Sequence, residues 1–206
     1  MQKQNRKDHW ENIYQTKELT EVSWYQPTPT TSLDYFTKFN VPKTAKIIDI
    51  AGGDSFLVDH LLELGYYDIT VLDISAGAIG RAKKRLGRRA SEVKWIVADA
   101  SDFTPSEQYD FWHDRAAFHF ITDEQEINNY IGTAHKNINP NGILVIGTFS
   151  EQGPTKCSGI DIKQYSDETM TKLFGKLFEK IDCRTIDHQT PSGSIQNFIF
   201  CSFRKV

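Results

Sequence analysis

The chain predicts an α/β fold: a doubly wound, mostly parallel sheet with helices on both faces and an antiparallel hairpin at its C-terminal end. Three observations carry this. Between residues 45 and 149, short apolar β-runs alternate with segments of helical periodicity. Three successive runs end on or beside an acid, at Asp49, Asp73 and Asp99. After residue 177 the alternation stops, and two long strand patterns flank the turn Gln189-Thr190-Pro191-Ser192-Gly193-Ser194, which reads as a hairpin.

The elements follow in order. Residues 6–18 form a polar helix with Trp10, Ile13 and Tyr14 on one face. Residues 23–31 hold two prolines, which restrict the residues before them to extended conformations, so this is a loop. A short helix is expected over 32–39, and residues 1–40 together read as a helical cap or lid on a domain spanning 41–206. The domain reads as strand 45–50, helix 55–64, strand 68–73, helix 76–87, strand 93–98, strand 109–114, helix 123–137 and strand 142–149. Asn139-Pro140-Asn141-Gly142 is the turn before the last of these. Helix 167–175 and strands 177–187 and 195–204 complete the chain.

The first turn, Ala51-Gly52-Gly53-Asp54-Ser55, follows the apolar strand Ile47-Ile48-Asp49-Ile50, and Asp73 lies twenty residues beyond Gly53. That arrangement binds an adenosine-containing cofactor at a sheet edge, with the Asp73 carboxylate accepting from the ribose hydroxyls. The alternative is that Asp73 caps the helix beginning near Ser75. A dinucleotide fingerprint needs a third glycine for close helix packing, and that position is Phe56, which argues against a nicotinamide cofactor. Asp99 follows the third strand, where in this architecture an acid is expected to meet the adenine amino group and the next amide, of Ala100, a ring nitrogen; the alternative is a turn residue. Ile74, directly after Asp73, belongs to the same set.

The segments Ile48-Asp49-Ile50-Ala51-Gly52-Gly53-Asp54, Val71-Leu72-Asp73-Ile74-Ser75 and Val97-Ala98-Asp99-Ala100 make the chain resemble the class I S-adenosylmethionine-dependent methyltransferases. The resemblance covers most of residues 45–150 and includes Tyr109-Asp110-Phe111-Trp112-His113-Asp114-Arg115 as the fourth strand. It implies a seven-stranded sheet with the last strand antiparallel. It also implies S-adenosyl-L-methionine as cofactor, with Asp49, Ala51, Gly52 and Gly53 at its methionine part. In the family's acid-x-G-x-G-x-G register only Gly53 is kept, with Ala51 and Ser55 as small substitutes.

The flanks resemble two branches of that family. His9-Trp10-Glu11-Asn12-Ile13-Tyr14 with Ser23-Trp24-Tyr25-Gln26 is similar to the opening of a protein-lysine methyltransferase branch. There an acid-Lys-Gly stretch follows the fourth strand; here it is Asp114-Arg115-Ala116. The Asp-Arg pair also resembles the thiopurine and tellurite-resistance methyltransferases, which act on small soft acceptors. The Asn/Asp-Pro-Pro-Tyr/Phe signature of amino-methylating branches is missing after the fourth strand, which argues against DNA adenine or glutamine amide methylation.

Composition bounds the partners. Net charge is −3 over 206 residues, so no basic field exists to hold a nucleic acid. The basic run from Arg81 to Arg89 reads as a solvated helix end. No apolar run is long enough to cross a membrane, and the opening residues do not have the pattern of a signal peptide. Three cysteines do not make a disulfide framework or a zinc signature, so no metal is expected. Cys183 and Cys201 read as core residues, and a reducing, cytoplasmic setting fits.

The acceptor should sit where the first and fourth strands separate. Asp114 either orients the sulfonium end or the acceptor, or pairs with Arg115. Arg115 either fixes an acidic acceptor or pairs with Asp114. His119 either shares the face of Arg115 on a helical turn or packs between its phenylalanine neighbours. These three form the catalytic set. His113 joins the cofactor set, although strand alternation from Asp114 also suits packing beneath the sheet. Tyr25, with Trp24, is expected to lid the cofactor. Cys157 either touches a soft acceptor or is a partly buried spectator. The leading expectation is methyl transfer to a small molecule, with thiol, metalloid and carboxylate acceptors open. The alternatives are a protein-lysine substrate or a non-catalytic cofactor-binding module.

Overall fold

The computed structural model describes residues 3–206; the first two positions of the predicted 1–40 cap lie outside them. The sheet has seven strands. They are β1 (Ile47–Ile50), β2 (Ile69–Asp73), β3 (Val93–Val97), β4 (Tyr109–Arg115), β5 (Ile138–Phe149), β8 (Phe178–Gln189) and β9 (Ile195–Lys205). Their order is β3-β2-β1-β4-β5-β9-β8. The five strands from β3 to β5 pair in parallel, and β9 runs antiparallel between β5 and β8. The predicted architecture is therefore the observed one. β1 and β4 are neighbours with chain leaving in opposite directions, which opens the crevice above their carboxyl ends.

Six α-helices accompany the sheet: α1 (Lys3–Thr16), α2 (Thr30–Lys38), α3 (Leu57–Glu63), α4 (Ala76–Leu86), α5 (Glu124–Asn137) and α6 (Asp167–Phe174). Local chemistry sets several starts. Ser75, Asp123 and Ser166 each accept a backbone N–H in the first turn of α4, α5 and α6. Strand alternation divides the core between two faces. Ile48, Ile50, Trp112 and Leu144 pack against the α5 and α6 side. Ile47, Phe111, Val145 and Phe200 pack against the α2 and α3 side.

Three sequence expectations are corrected. Strand β5 begins at Ile138, because the Asn139–Gly142 turn is absorbed as an irregularity in its pairing with β4. Residues 156–161, expected as loop, form a two-stranded hairpin, β6 (Lys156–Cys157) and β7 (Ile160–Asp161). Its turn is Ser158-Gly159, both at positive φ. Cys183 and Cys201 are not separate core thiols but a disulfide: they oppose each other in the β8–β9 pairing with Cα atoms 4.1 Å apart, within bonding reach.

The N-terminal helix is held by a reciprocal clasp that sequence reading did not find. Glu11 of α1 accepts from the Ser75 hydroxyl at 2.9 Å and from the Ala76 and Gly77 amides at 2.7 and 3.1 Å. It thus places a carboxylate at the positive end of α4. Burial acts against that charge, but these three donors hold the Glu11 carboxyl below its usual range. In return, Arg81 of α4 donates to the Tyr14 and Lys17 carbonyls at the end of α1, at 3.1 and 2.8 Å. Arg81 and Arg85 also pair with the buried Asp54 in the first turn. Part of the basic run is therefore folded back onto the protein and is not a solvated helix end.

Candidate active site

The site is a cavity above the carboxyl ends of β1 to β4, about 1200 Å³ with its open mouth included. That volume suits a nucleoside-bearing cofactor with a small second molecule. One end is lined by Asp73, Ile74, Asp99 and Ala100, and the middle by Asp49, Ala51, Gly52 and His113. The far end is lined by Arg115, Phe149, Cys157, Gln196 and Phe198. Residues of α1 and the 23–29 loop, among them Arg6, Trp10, Trp24 and Tyr25, form the roof.

The first turn shows why small residues are needed. A Cβ at Gly52 would run into the Asp49 carboxylate, and one at Gly53 into the Asp73 carboxylate. Gly53 does not line the cavity itself; its lack of a side chain leaves Asp73 its place. A larger residue at Gly53 would thus act by displacing that acid. Ala51, in the first glycine position of the family motif, holds φ at +52°. The left-handed turn is thus kept at the expense of a crowded Cβ. Ala51→Gly is expected to recover about 1 kcal/mol and raise the melting temperature by roughly 2–4 °C, read by calorimetry.

Asp73 is 3% exposed, and its Oδ1 accepts from the Ser75 amide at 2.8 Å. Burial pushes its carboxyl up to about 7; the charges of Asp49 and Glu11 add to this, and the Ser75 amide opposes it. It caps its own turn and also lines the cavity. The Asp99 carboxylate is gripped by Arg6 of α1, whose Nη1 lies 3.2 and 3.1 Å from its two oxygens. Arg6 Nη2 reaches Glu126 of α5 at 2.6 Å. The Asp99 end of the cavity is therefore bridged by a residue that sequence reading did not single out. Only a lone arginine on a polar helix signalled it.

Along β4, alternation places Phe111, His113 and Arg115 on one face and Trp112 and Asp114 on the other. His113 is therefore on the cavity side, as its place in the cofactor set requires and against packing beneath the sheet, whereas Asp114, expected in the catalytic set, is on the far face. His113 points to the cavity side, with Nδ1 2.7 Å from Asp49 and Nε2 2.9 Å from the Ser32 hydroxyl. Asp114 lies beneath the sheet, fully buried and outside the cavity lining. It accepts from the Tyr130 hydroxyl at 2.7 Å and from the Ala117 and Phe118 amides, both at 3.2 Å. Burial raises its carboxyl to about 6, which the Tyr130 hydroxyl and the two amides partly offset. Its geometry is that of a turn anchor. It forms no ion pair with Arg115, since the two side chains leave opposite faces of the strand.

His119 also lies outside the cavity lining. It sits in a short 3-10 turn (Phe118–Phe120), stacks on Phe149 at 4.5 Å, and its Nδ1 accepts from the Phe149 amide. Burial lowers its pKa to about 3, with the Arg115 charge adding, so it is a neutral ring. The packed alternative describes its position. Arg115 does line the cavity: its Nη1 donates to the Trp24 carbonyl at 3.1 Å and its guanidinium lies 5.4 Å from the Phe198 ring. Opposite it, His188 and Gln196 face each other in the β8–β9 pairing. His188 Nε2 donates to the Ser23 carbonyl at 2.7 Å, which fixes a neutral tautomer accepting from Gln26. Cys157 is buried at the far end, where burial raises its thiol pKa.

The sheet order, the acid-ended strands and the terminal hairpin define a Rossmann-like methyltransferase fold. Residues 47–142 match the family described as methyltransferase domain. Over that stretch the chain is similar to the class I S-adenosylmethionine-dependent methyltransferases, and it shares their fold. Among curated proteins it is 30% identical over 122 residues to the eEF1A lysine and N-terminal methyltransferase of Mus musculus, covering 58% of this chain and 17% of that one. It is 31% identical over 108 residues to the malonyl-[acyl-carrier protein] O-methyltransferase of Anoxybacillus flavithermus, covering 52% and 39%. The chain thus spans less than half the length of either relative. Among solved structures, one from work on conversion of a disulfide bond into a thioacetal group during echinomycin biosynthesis superposes with a TM-score of 0.77. Identity is 20%, over 97% of this chain and 92% of that one. The N-methyltransferase NodS of Bradyrhizobium japonicum WM9, in complex with S-adenosyl-L-homocysteine, gives 0.65 at 18% identity, over 94% and 98%. No helix among the described residues is long and apolar enough to cross a membrane.

Proposed function

We propose that this chain transfers a methyl group from S-adenosylmethionine to a small-molecule acceptor held at the Arg115 end of the cavity. The observation that carries this reading is one continuous cavity running from Asp99 and Asp73 to Arg115 and Phe198 beneath the roof of α1 and the 23–29 loop. The residues fit the cofactor. Asp73 is free on its cavity side to accept ribose hydroxyls, Asp99 and the Ala100 amide suit adenine, and Ala51 and Gly52 present backbone to the methionine part. When bound, the cofactor supplies a methyl group on a sulfonium, transferred in line to a nucleophile.

The chain's own contribution is positioning and the exclusion of water. Trp10, Trp24, Phe120 and Phe198 supply apolar walls. Tyr25 lies edge-on to Phe56 at 6.1 Å, joining the roof to the first turn. Neither His119 nor Asp114 reaches the cavity as a general base. His113 lines the cavity, but Asp49 and Ser32 take its two ring nitrogens, so an acceptor that arrives already nucleophilic suits the site best: a thiolate, a reduced metalloid or a carboxylate.

A protein-lysine substrate is the second reading, supported by the eEF1A relative and the similar N-terminal flank. Arg115 weighs against it, because a buried cation beside the acceptor repels an ammonium group. Incubating the purified protein and methyl-labelled cofactor with a cell lysate separates the two. Label in the low-mass fraction is expected; label confined to a protein band would transfer the reading to the second substrate class.

A further inference from the structure

Arg115 is an incompletely satisfied cation. Its Nη1 is occupied by the Trp24 carbonyl, but its Nη2 is shut off from solvent and has no hydrogen-bond partner. No carboxylate forms an ion pair with it among the described residues, and the nearby Asp49 is paired with His113. Burial lowers its pKa only to about 10, the Asp49 charge opposing the fall, so it remains a cation at neutral pH. A desolvated guanidinium with an empty donor costs several kcal/mol unless something completes it. A second orphan lines the same cavity: Gln26 Oε1 is buried without a partner, while its Nε2 is held by His188 at 3.3 Å.

Resting on the acceptor-site reading above, we propose that Arg115 is the recognition group for an oxyanion, a carboxylate in the simplest case, on a flat anionic acceptor. The guanidinium fork matches a carboxylate in geometry. Phe198, which lies under the guanidinium, and Trp24, whose carbonyl takes Nη1, both line the cavity and give it an apolar wall beside Arg115 for the rest of the acceptor. Gln26 Oε1 accepts from a hydroxyl or amine on the same molecule. The oxyanion held this way is a handle and not the methylated atom, because two N–H donors and a full positive charge withdraw its nucleophilicity. The other carboxylate that reaches this cavity is the cofactor's own. Arg115 contacts Trp24 of the roof loop and Phe198 of β9, while the methionine part belongs at Asp49, Ala51 and Gly52 one strand away, so titration must tell the two carboxylates apart.

The test is calorimetric. The protein is saturated with S-adenosylhomocysteine, then titrated with benzoate, phenylacetate and cinnamate and with the matching amides. Wild type is expected to bind a carboxylate and not its amide. Arg115→Gln, which keeps N–H donors but not the charge, should weaken carboxylate binding by roughly thirty- to a hundred-fold and leave S-adenosylhomocysteine affinity unchanged. Arg115→Lys should restore part of the loss. No preference for acid over amide in wild type overturns the proposal. So does Arg115→Gln weakening S-adenosylhomocysteine but not 5′-methylthioadenosine, since the guanidinium would then hold the cofactor's carboxylate. Failure of wild type to bind S-adenosylhomocysteine at all would overturn the underlying function, and this proposal with it, as a separate result.

Discussion

Asp73→Asn is expected to lower S-adenosylhomocysteine affinity by roughly a hundred- to a thousand-fold while raising the melting temperature of the ligand-free protein. The affinity loss follows from geometry. An ionised carboxylate accepts from both ribose hydroxyls, at about 1.5–3 kcal/mol for each charge-assisted bond. An amide accepts with one oxygen and sets an N–H against the other hydroxyl. The stability gain follows from the buried charge: Asp73 is 3% exposed, with its carboxyl pushed up to about 7 by burial and by the charges of Asp49 and Glu11.

The sign of the pH dependence is definite. An unfolded aspartate releases its proton near pH 4, whereas the folded one keeps it to about 7. Through that window the folded chain binds more protons, so ligand-free stability contributed by Asp73 is present below pH 4 and is lost as pH rises to about 7. Cofactor binding runs the other way. It requires the anion, so affinity should climb with pH up to about 7 and then level off. Melting curves and titrations of both proteins at pH 5 and pH 8 give the answer. An Asn variant that binds normally at pH 8 would remove Asp73 from the cofactor site.

Arg6→Ala is expected to destabilise the protein by about 2–4 kcal/mol, lowering the melting temperature by roughly 5–15 °C. The loss is large because Arg6 joins three elements distant in sequence: α1, the end of β3 at Asp99 and α5 at Glu126. Removing it leaves two largely buried carboxylates without their cation. The same change should loosen the roof, so S-adenosylhomocysteine should dissociate faster in stopped-flow measurements. Unchanged stability together with unchanged dissociation would show that α1 is an ornament on the domain and not its cap.

Much of the fold was readable before any coordinates. The strand–helix alternation, the small-residue turn at Ala51-Gly52-Gly53 and the acids Asp49, Asp73 and Asp99 are local signals, each carried within a few residues of itself. So is the hairpin around Pro191 and Gly193. Of the site residues expected from sequence, Tyr25, Asp49, Ala51, Gly52, Asp73, Ile74, Asp99, Ala100, His113 and Arg115 line the cavity. Gly53, Asp114 and His119 lie behind it. The difference along β4 is one of parity. Sequence shows that His113 and Asp114 leave opposite faces, but not which face is up. That depends on whether Tyr130, sixteen residues further along on α5, or Ser32, eighty-one residues earlier on α2, supplies the partner.

Sequence alone determined the class of fold and most of the residues that line the cavity, because periodicity and turn chemistry act over short stretches of chain. Only the tertiary structure decided the rest. It set Arg6 across 93 residues onto Asp99 and Glu11 across 64 onto Ser75, paired Cys183 with Cys201, and left Arg115 with an empty donor. Each of these depends on which distant groups meet when the two faces of the sheet are covered, and burial, not local propensity, sets the charge and the hydrogen-bond partners of such residues.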